Sequence, residues 1–288
     1  MRICRLFGLT RQAYYNHFWH QQSVSIEEDM VIKQIRSIRK LHPVIGTRKL
    51  QVMLQPFLLE HQIKLGRDGL FDLMSANKLL VKRIKRRAIT TWSSHWLHKY
   101  PNLIREYNPI QRNQLWVSDI TYWETKSGFL YISFITDAYT HKIVGYSVSE
   151  RLDALSPISA LQMALNDNNV KGKNLIHHSD RGVQYCCGEY VKLLQDYNIE
   201  ISMTENGDPL ENAIAERING IIKEEYLEHY VITNIIEAEK ALAQAVSYYN
   251  QQRPHMSCGW LTPALVHEQQ LTVAKEWKIY YKQKSAVC

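Results

Sequence analysis

The sequence predicts an α/β fold: a catalytic domain built on a mixed sheet, preceded by a small all-helical module. Three observations predict it. Apolar residues in the first hundred positions recur at helical spacing, whereas from residue 114 onward strand-like runs alternate with helical ones. Charge divides at the same place. Residues 1 to 105 hold 19 Lys+Arg against 6 Asp+Glu, and the remainder holds 16 against 22. A basic third joined to a mildly acidic remainder is the pattern of a polyanion-gripping module attached to a catalytic one.

The elements follow in order. Gly8-Leu9-Thr10 forms a turn and cap, and a helix starts at Arg11. Met30, Val31, Ile35, Ile38 and Leu41 give residues 27 to 41 a helical period. Gly46-Thr47 breaks it, and Arg48-Lys49-Leu50 opens the next helix behind a threonine cap. A third helix runs from Arg67 or Asp68 to Asn77. Residues 78 to 87 then hold six basic residues and no acid: Lys78, Lys82, Arg83, Lys85, Arg86 and Arg87. Short helices with cationic turns suit helix-turn-helix contact with DNA, through Arg48, Lys49, Lys82, Arg83, Lys85, Arg86 and Arg87. The module spans residues 1–88, a linker 89–113, the catalytic core 114–270 and a tail 271–288. Within the linker, Trp92 and Trp96 either stack on bases or dock on the core, docking being the common fate of a linker tryptophan.

In the core, strands are predicted at 115–123, about 129–136, about 142–148, 174–179 and about 199–203. Helices are predicted at about 154–167, about 187–197, around Glu216, and at about 234–250. Between the fifth strand and the Glu216 helix, Thr204 to Leu210 contains Asn-Gly and Asp-Pro, which mark a turn.

Three carboxylates set the chemistry. Asp119 sits in the apolar run Leu115 to Trp123, and Asp180 ends the run Leu175 to Ser179. Glu216 follows with thirty-five residues between it and Asp180. A carboxylate at the end of a buried strand is costly unless something binds it. Three that converge make an oxygen-ligand site for a hard divalent cation, which performs in-line attack on phosphodiesters. At about 100° per residue, Asn212, Glu216, Asn219 and Lys223 form one polar stripe, with Ile214, Ile218, Ile221 and Ile222 opposite. The stripe is predicted to face outward, with Glu216 as metal ligand and Asn212 and Lys223 toward DNA phosphate. At most one of the adjacent His177 and His178 can face the site, because neighbouring strand residues point to opposite sides.

These segments resemble a known family. Trp116-Val117-Ser118-Asp119-Ile120-Thr121-Tyr122, His178-Ser179-Asp180-Arg181-Gly182-Val183-Gln184-Tyr185 and Glu211-Asn212-Ala213-Ile214-Ala215-Glu216 are similar to the signature blocks of the retroviral-integrase-like DDE transposases. So are Tyr249-Asn250-Gln251-Gln252-Arg253-Pro254-His255 and Leu261-Thr262-Pro263. The nearest likeness is to the second-frame catalytic product of bacterial insertion sequences, over roughly residues 30 to 270. The resemblance implies a ribonuclease H-like core with a five-stranded mixed sheet. It implies a transposase that cleaves and joins DNA strands with Asp119, Asp180 and Glu216 as catalytic and metal-binding residues. Mg²⁺ or Mn²⁺, two per site, would be the cofactor. The implied partners are double-stranded DNA, both element ends and target, and further copies of the chain. Such families often supply a repeat-binding helix-turn-helix and a zipper from an upstream frame, and little precedes Leu6-Phe7-Gly8 here, so an upstream-frame partner or fusion is also expected. Two other readings of the residues stay open: a DNA-binding regulator without catalysis, and a ribonuclease H-like nuclease or resolvase.

The bulk properties exclude little else. No apolar run spans a bilayer, and the N-terminus lacks the apolar core of a signal peptide. The five cysteines, Cys4, Cys186, Cys187, Cys258 and Cys288, show no C-x-x-C pair and fit a reducing compartment. The resemblance implies that this is a bacterial cytoplasm, at the nucleoid.

Overall fold

The computed structural model describes residues 10–81, 96–168, 170, 174–205 and 209–272. The chain divides into two compact units, Met1–Ile84 and Lys85–Cys288. Most of the basic run, from Lys82 to Arg87, lies outside the described residues, as do Trp92 and the Asn206-Gly207-Asp208 turn.

The first unit contains α1 (Arg11–Leu41), α2 (Thr47–Glu60) and α3 (Arg67–Ala76). Val31, Ile35, Leu50, Leu54, Leu70 and Met74 form its core, each essentially without exposure. The helix expected from residue 27 is thus continuous with the one expected from Arg11. The expected threonine cap is corrected. Gly46 is the N-cap in extended backbone, and Thr47 is already the first helical residue and buried.

The second unit is a sheet with helices on both faces. Its strands are β1 (Leu115–Thr125), β2 (Gly128–Asp137), β3 (Ile143–Ser149), β4 (Ile176–Ser179) and β5 (Glu200–Met203). Their spatial order is β3-β2-β1-β4-β5. β1 and β2, and β2 and β3, pair antiparallel. β4 runs parallel to β1, and β5 parallel to β4. This is the order and direction of the ribonuclease H-like sheet. Among the described residues its helices are α4 (Leu155–Asn168), α5 (Val183–Cys186), α6 (Gly188–Asp196), α7 (Ala213–Glu225) and α8 (Ile235–Gln251). α9 (Pro263–Gln269) follows, with Thr262 Oγ1 accepting from the Leu265 amide as its cap.

Alternation along the strands splits the core in two. On one face, Trp123, Ile132 and Phe134 pack under α7 and α8. On the other, Trp116, Ile135 and Val144 pack under α4, α5 and α6. Gly145 is required on that second side: a Cβ there would lie 2.1 Å from the carbonyl oxygen of Ala160, so α4 can approach β3 only over a glycine.

The stretch expected as linker is docked from Leu97 onward. Leu97 and Tyr100 pack on the second core, the Met203 amide donates to the Pro101 carbonyl, and the Leu103 amide donates to Ser202 Oγ at 2.9 Å. This covers the outer edge of β5, an open hydrogen-bonding row that a sheet otherwise leaves exposed. Trp96 takes no part in the docking and is 92% exposed.

The block Tyr249 to His255 serves as scaffold. The Asn250 amide closes two hydrogen bonds on the backbone of Ile143, acting as a partner for edge strand β3. Tyr249 donates to the His141 carbonyl. Arg253, 1% exposed, makes a two-pronged ion pair with Glu225 at the end of α7, 2.7 Å at each contact. Sequence reasoning matched this block to a family pattern without finding that function.

Candidate active site

The sheet opens where the acids stand. β4 pairs with β1 only from Leu115 to Val117, opposite Ile176 to His178. Asp119 lies two residues beyond the last paired position, and Asp180 one residue beyond the end of β4. Both therefore lie just beyond the point where the parallel pairing of β1 with β4 stops, at the carboxyl end of β4, the usual ligand-binding edge of an α/β sheet. α7 crosses β1 there and brings Glu216 on its first turn.

The three carboxylates are electrostatically coupled. Asp119 is pushed up to about 8, first by burial, then by the charges of Asp180 and Glu216. Asn219 opposes the shift: its Nδ2 donates to Asp119 Oδ2 at 2.8 Å. Asp180 Oδ1 accepts from the Gly182 amide at 2.9 Å. A Cβ on Gly182 would stand 3.0 Å from the same oxygen, so the glycine lets the backbone fold around the carboxylate. Glu216 is exposed, and Asp119 and Asp180 are partly exposed.

The helix that carries Glu216 differs from expectation in one respect. Ile218, Ile221 and Ile222 are buried as predicted. The polar stripe does not face outward throughout: Asn212 and Asn219 are 6% and 5% exposed. Asn212, expected to face DNA phosphate, donates Nδ2 to the Ser118 carbonyl at 2.9 Å. Its amide pins the start of α7 beside Asp119, because α7 lies against β1 along this stripe as well as along its isoleucines. Asn219 was placed on the correct face by helical arithmetic, yet its bond to Asp119 depends on where β1 lies.

Behind Asp119, Ser118 Oγ donates to the Phe134 carbonyl at 3.0 Å and lies 2.9 Å from the Tyr185 hydroxyl. His177 and His178 are both fully buried. His177 Nε2 bonds to Tyr190 OH at 2.9 Å, and His178 Nδ1 to Ser202 Oγ at 2.8 Å. Burial depresses them to about 3 and about 4, so both are neutral packing residues.

Lys223, two turns beyond Glu216, holds its ammonium 4.2 Å from the centroid of the Tyr122 ring. Arg48 is exposed and Lys49 half-buried, both in the first turn of α2. Lys82, Arg83, Lys85, Arg86 and Arg87 lie outside the described residues.

The donor set fits a hard divalent cation. All three side chains offer carboxylate oxygen, and the side-chain oxygens of Asn212 and Asn219 are buried without a protein donor. A carboxylate raised to about 8 by burial and by two neighbouring acids is also one that a cation would return to its ionised form. Among the described residues, no three His, Cys, Asp or Glu side chains are gathered closely enough to cage an ion by themselves.

Two integrase core domain models match the chain, over residues 109–209 and 197–263. An uncharacterized 31 kDa protein of insertion element IS600 from Shigella sonnei is 36% identical over 92% of this chain and 97% of its own length. The transposase for insertion sequence element IS629 from the same organism is 31% identical, over 91% of this chain and 89% of its own. Among solved structures, the catalytic core of HTLV-2 integrase with magnesium aligns at 21% identity and a TM-score of 0.44, covering 56% of this chain and 99% of that one. The fold and the matched domain define a DDE-type polynucleotidyl transferase. Within that class, the chain belongs to the insertion-sequence transposases with an integrase core, enzymes of DNA transposition.

Proposed function

We propose that Asp119, Asp180 and Glu216 together hold two divalent metal ions, Mg²⁺ or Mn²⁺, and that the chain uses them to cleave element ends and join them to target DNA. The single observation that carries this is the coupling of Asp119 to both other acids just beyond the point where the parallel pairing of β1 with β4 ends. When bound, such a pair activates a water or a DNA 3′-hydroxyl and stabilises the leaving 3′ oxygen.

The chain's own residues do the rest. Asn219 orients one carboxylate of the site, and the Gly182 amide orients another. Glu216 has the reach of an extra methylene, which a helix-borne acid needs to meet strand-borne ones. Lys223 grips a phosphate of the DNA as a point charge. Arg48 and Lys49 sit at the positive end of a helix dipole, where cations are disfavoured and an anion relieves them. Together with Lys82, Arg83, Lys85, Arg86 and Arg87 they hold duplex DNA non-specifically. Several copies assemble on the DNA, with an upstream-frame DNA-binding partner or fusion, in the cytoplasm at the nucleoid. No helix among the described residues is long and apolar enough to cross a membrane.

The test is a strand-transfer assay on duplexes bearing the element's ends, with Mg²⁺. Asp180→Asn and Glu216→Gln should abolish joining while leaving DNA binding intact. Full joining by Asp180→Asn would sink the assignment, and metal-independent nicking would return the nuclease reading.

A further inference from the structure

Tyr122 is three residues past Asp119 on β1 and has no role in the chemistry described above. Its ring is half-buried and is met from two sides. The ring of Phe129, on the paired strand β2, meets it edge-on at 5.7 Å between centroids and 86° between planes. The Lys223 ammonium lies over it at 4.2 Å. A lysine on the last turns of a helix ordinarily samples many rotamers, and ordering its side chain for a ligand costs entropy. An aromatic face beneath the ammonium holds it by cation–π attraction. Phe129 in turn fixes the tilt of the Tyr122 ring through an edge-to-face contact.

We infer that Tyr122 is a positioning residue for substrate DNA: its ring presets the Lys223 ammonium to receive a backbone phosphate at a fixed distance from Asp119. This rests on the assignment of Lys223 to a phosphate. The pairing ties that contact to β1 itself, so the strand that carries the first acid also sets the register of the DNA.

The experiment compares the full-length protein with Tyr122→Phe, Tyr122→Leu, Lys223→Ala and the Tyr122→Leu/Lys223→Ala double variant. Affinity for a short fluorescent duplex of arbitrary sequence is measured across a salt series, and thermal unfolding checks the fold. Tyr122→Phe should bind like the parent, since it keeps the ring face. Tyr122→Leu should bind about 2- to 5-fold more weakly, the range of an exposed cation–π contact. The double variant should bind no more weakly than Lys223→Ala alone, because the ring acts only through the lysine. Three results overturn the inference: a Tyr122→Leu variant that binds normally while Lys223→Ala does not, a Tyr122→Leu loss that persists in full without Lys223, or a Tyr122→Phe loss as large as that of Tyr122→Leu. Normal binding by Lys223→Ala would remove the DNA role of Lys223 and this inference together. If Tyr122→Leu fails to fold, Tyr122→Ile, which suits a strand and also lacks the ring face, takes its place with the same expected loss and the same overturning results.

Discussion

Asn219 donates its side-chain amide to the carboxylate of Asp119 at 2.8 Å, so the helix that carries Glu216 is hydrogen-bonded to the first acid of the site one turn further on. The bond ties two catalytic elements that lie a hundred residues apart in sequence. It also lowers the cost of ionising a buried carboxylate, since the amide donates to the charged form.

Asn219→Ala should therefore lose strand-transfer activity by about ten-fold or more while keeping DNA affinity, and should cost roughly 1–3 kcal/mol of stability. Denaturant unfolding and a joining assay check both. Unchanged joining with full loss of stability would make Asn219 a purely structural residue.

Asp119 predicts a pH dependence. Its folded value is raised to about 8 and its unfolded value lies at about 4, so between them the folded state holds the extra proton. Stability contributed by this group is present at low pH and is lost as pH rises through about 8. The buried His177 and His178 act oppositely, because their folded values are depressed: they favour the folded state above the unfolded histidine value of about 6.5, and that contribution is lost as pH falls. The window from about 7 to about 8 thus isolates the carboxylate. There the melting temperature of the metal-free protein should fall with pH, and Asp119→Asn should flatten the fall. Added Mg²⁺ should raise the melting temperature more at about pH 8 than at about pH 6, since cation and proton compete for the same oxygens. A parent and an Asp119→Asn variant with identical slopes would refute the coupling.

Arg253 and Glu225 form a buried, two-pronged pair that holds the end of α7. Arg253→Ala leaves the Glu225 carboxylate, 17% exposed, without its cation and should cost roughly 3–5 kcal/mol. Removing both charges, as in Arg253→Met with Glu225→Gln, should recover most of that. Equal unfolding free energies for the single and double variants would show that the charge pairing is not what holds α7.

Neutralising Arg83, Lys85, Arg86 and Arg87 together should weaken DNA binding regardless of sequence. The slope of log affinity against log salt should flatten by up to about 0.9 for each DNA phosphate that is no longer neutralised. An unchanged slope would show that the run faces away from DNA.

Much of this molecule follows from local chemistry that the sequence carries openly. Apolar strand-like runs at β1 and β2 and the isoleucine spacing of Ile218 and Ile222 place elements to within a few residues, because strands and helices bury their apolar residues in characteristic patterns. Glycine at 182 and the acids at 119, 180 and 216 were legible as types in a pattern. What no local rule supplies is the partner across space. Tertiary structure alone decided that Asn212 faces Ser118 and not solvent, that Asn219 reaches Asp119, that Arg253 meets Glu225, and that Tyr122 lies under Lys223. The docking of Pro101 and Leu103 along β5, in a stretch that reads as linker, was decided the same way. The physical reason is common to all of these. Hydrogen bonds and ion pairs depend on positions within fractions of an ångström, and those positions are set by how the helices and the docked segment settle on the sheet.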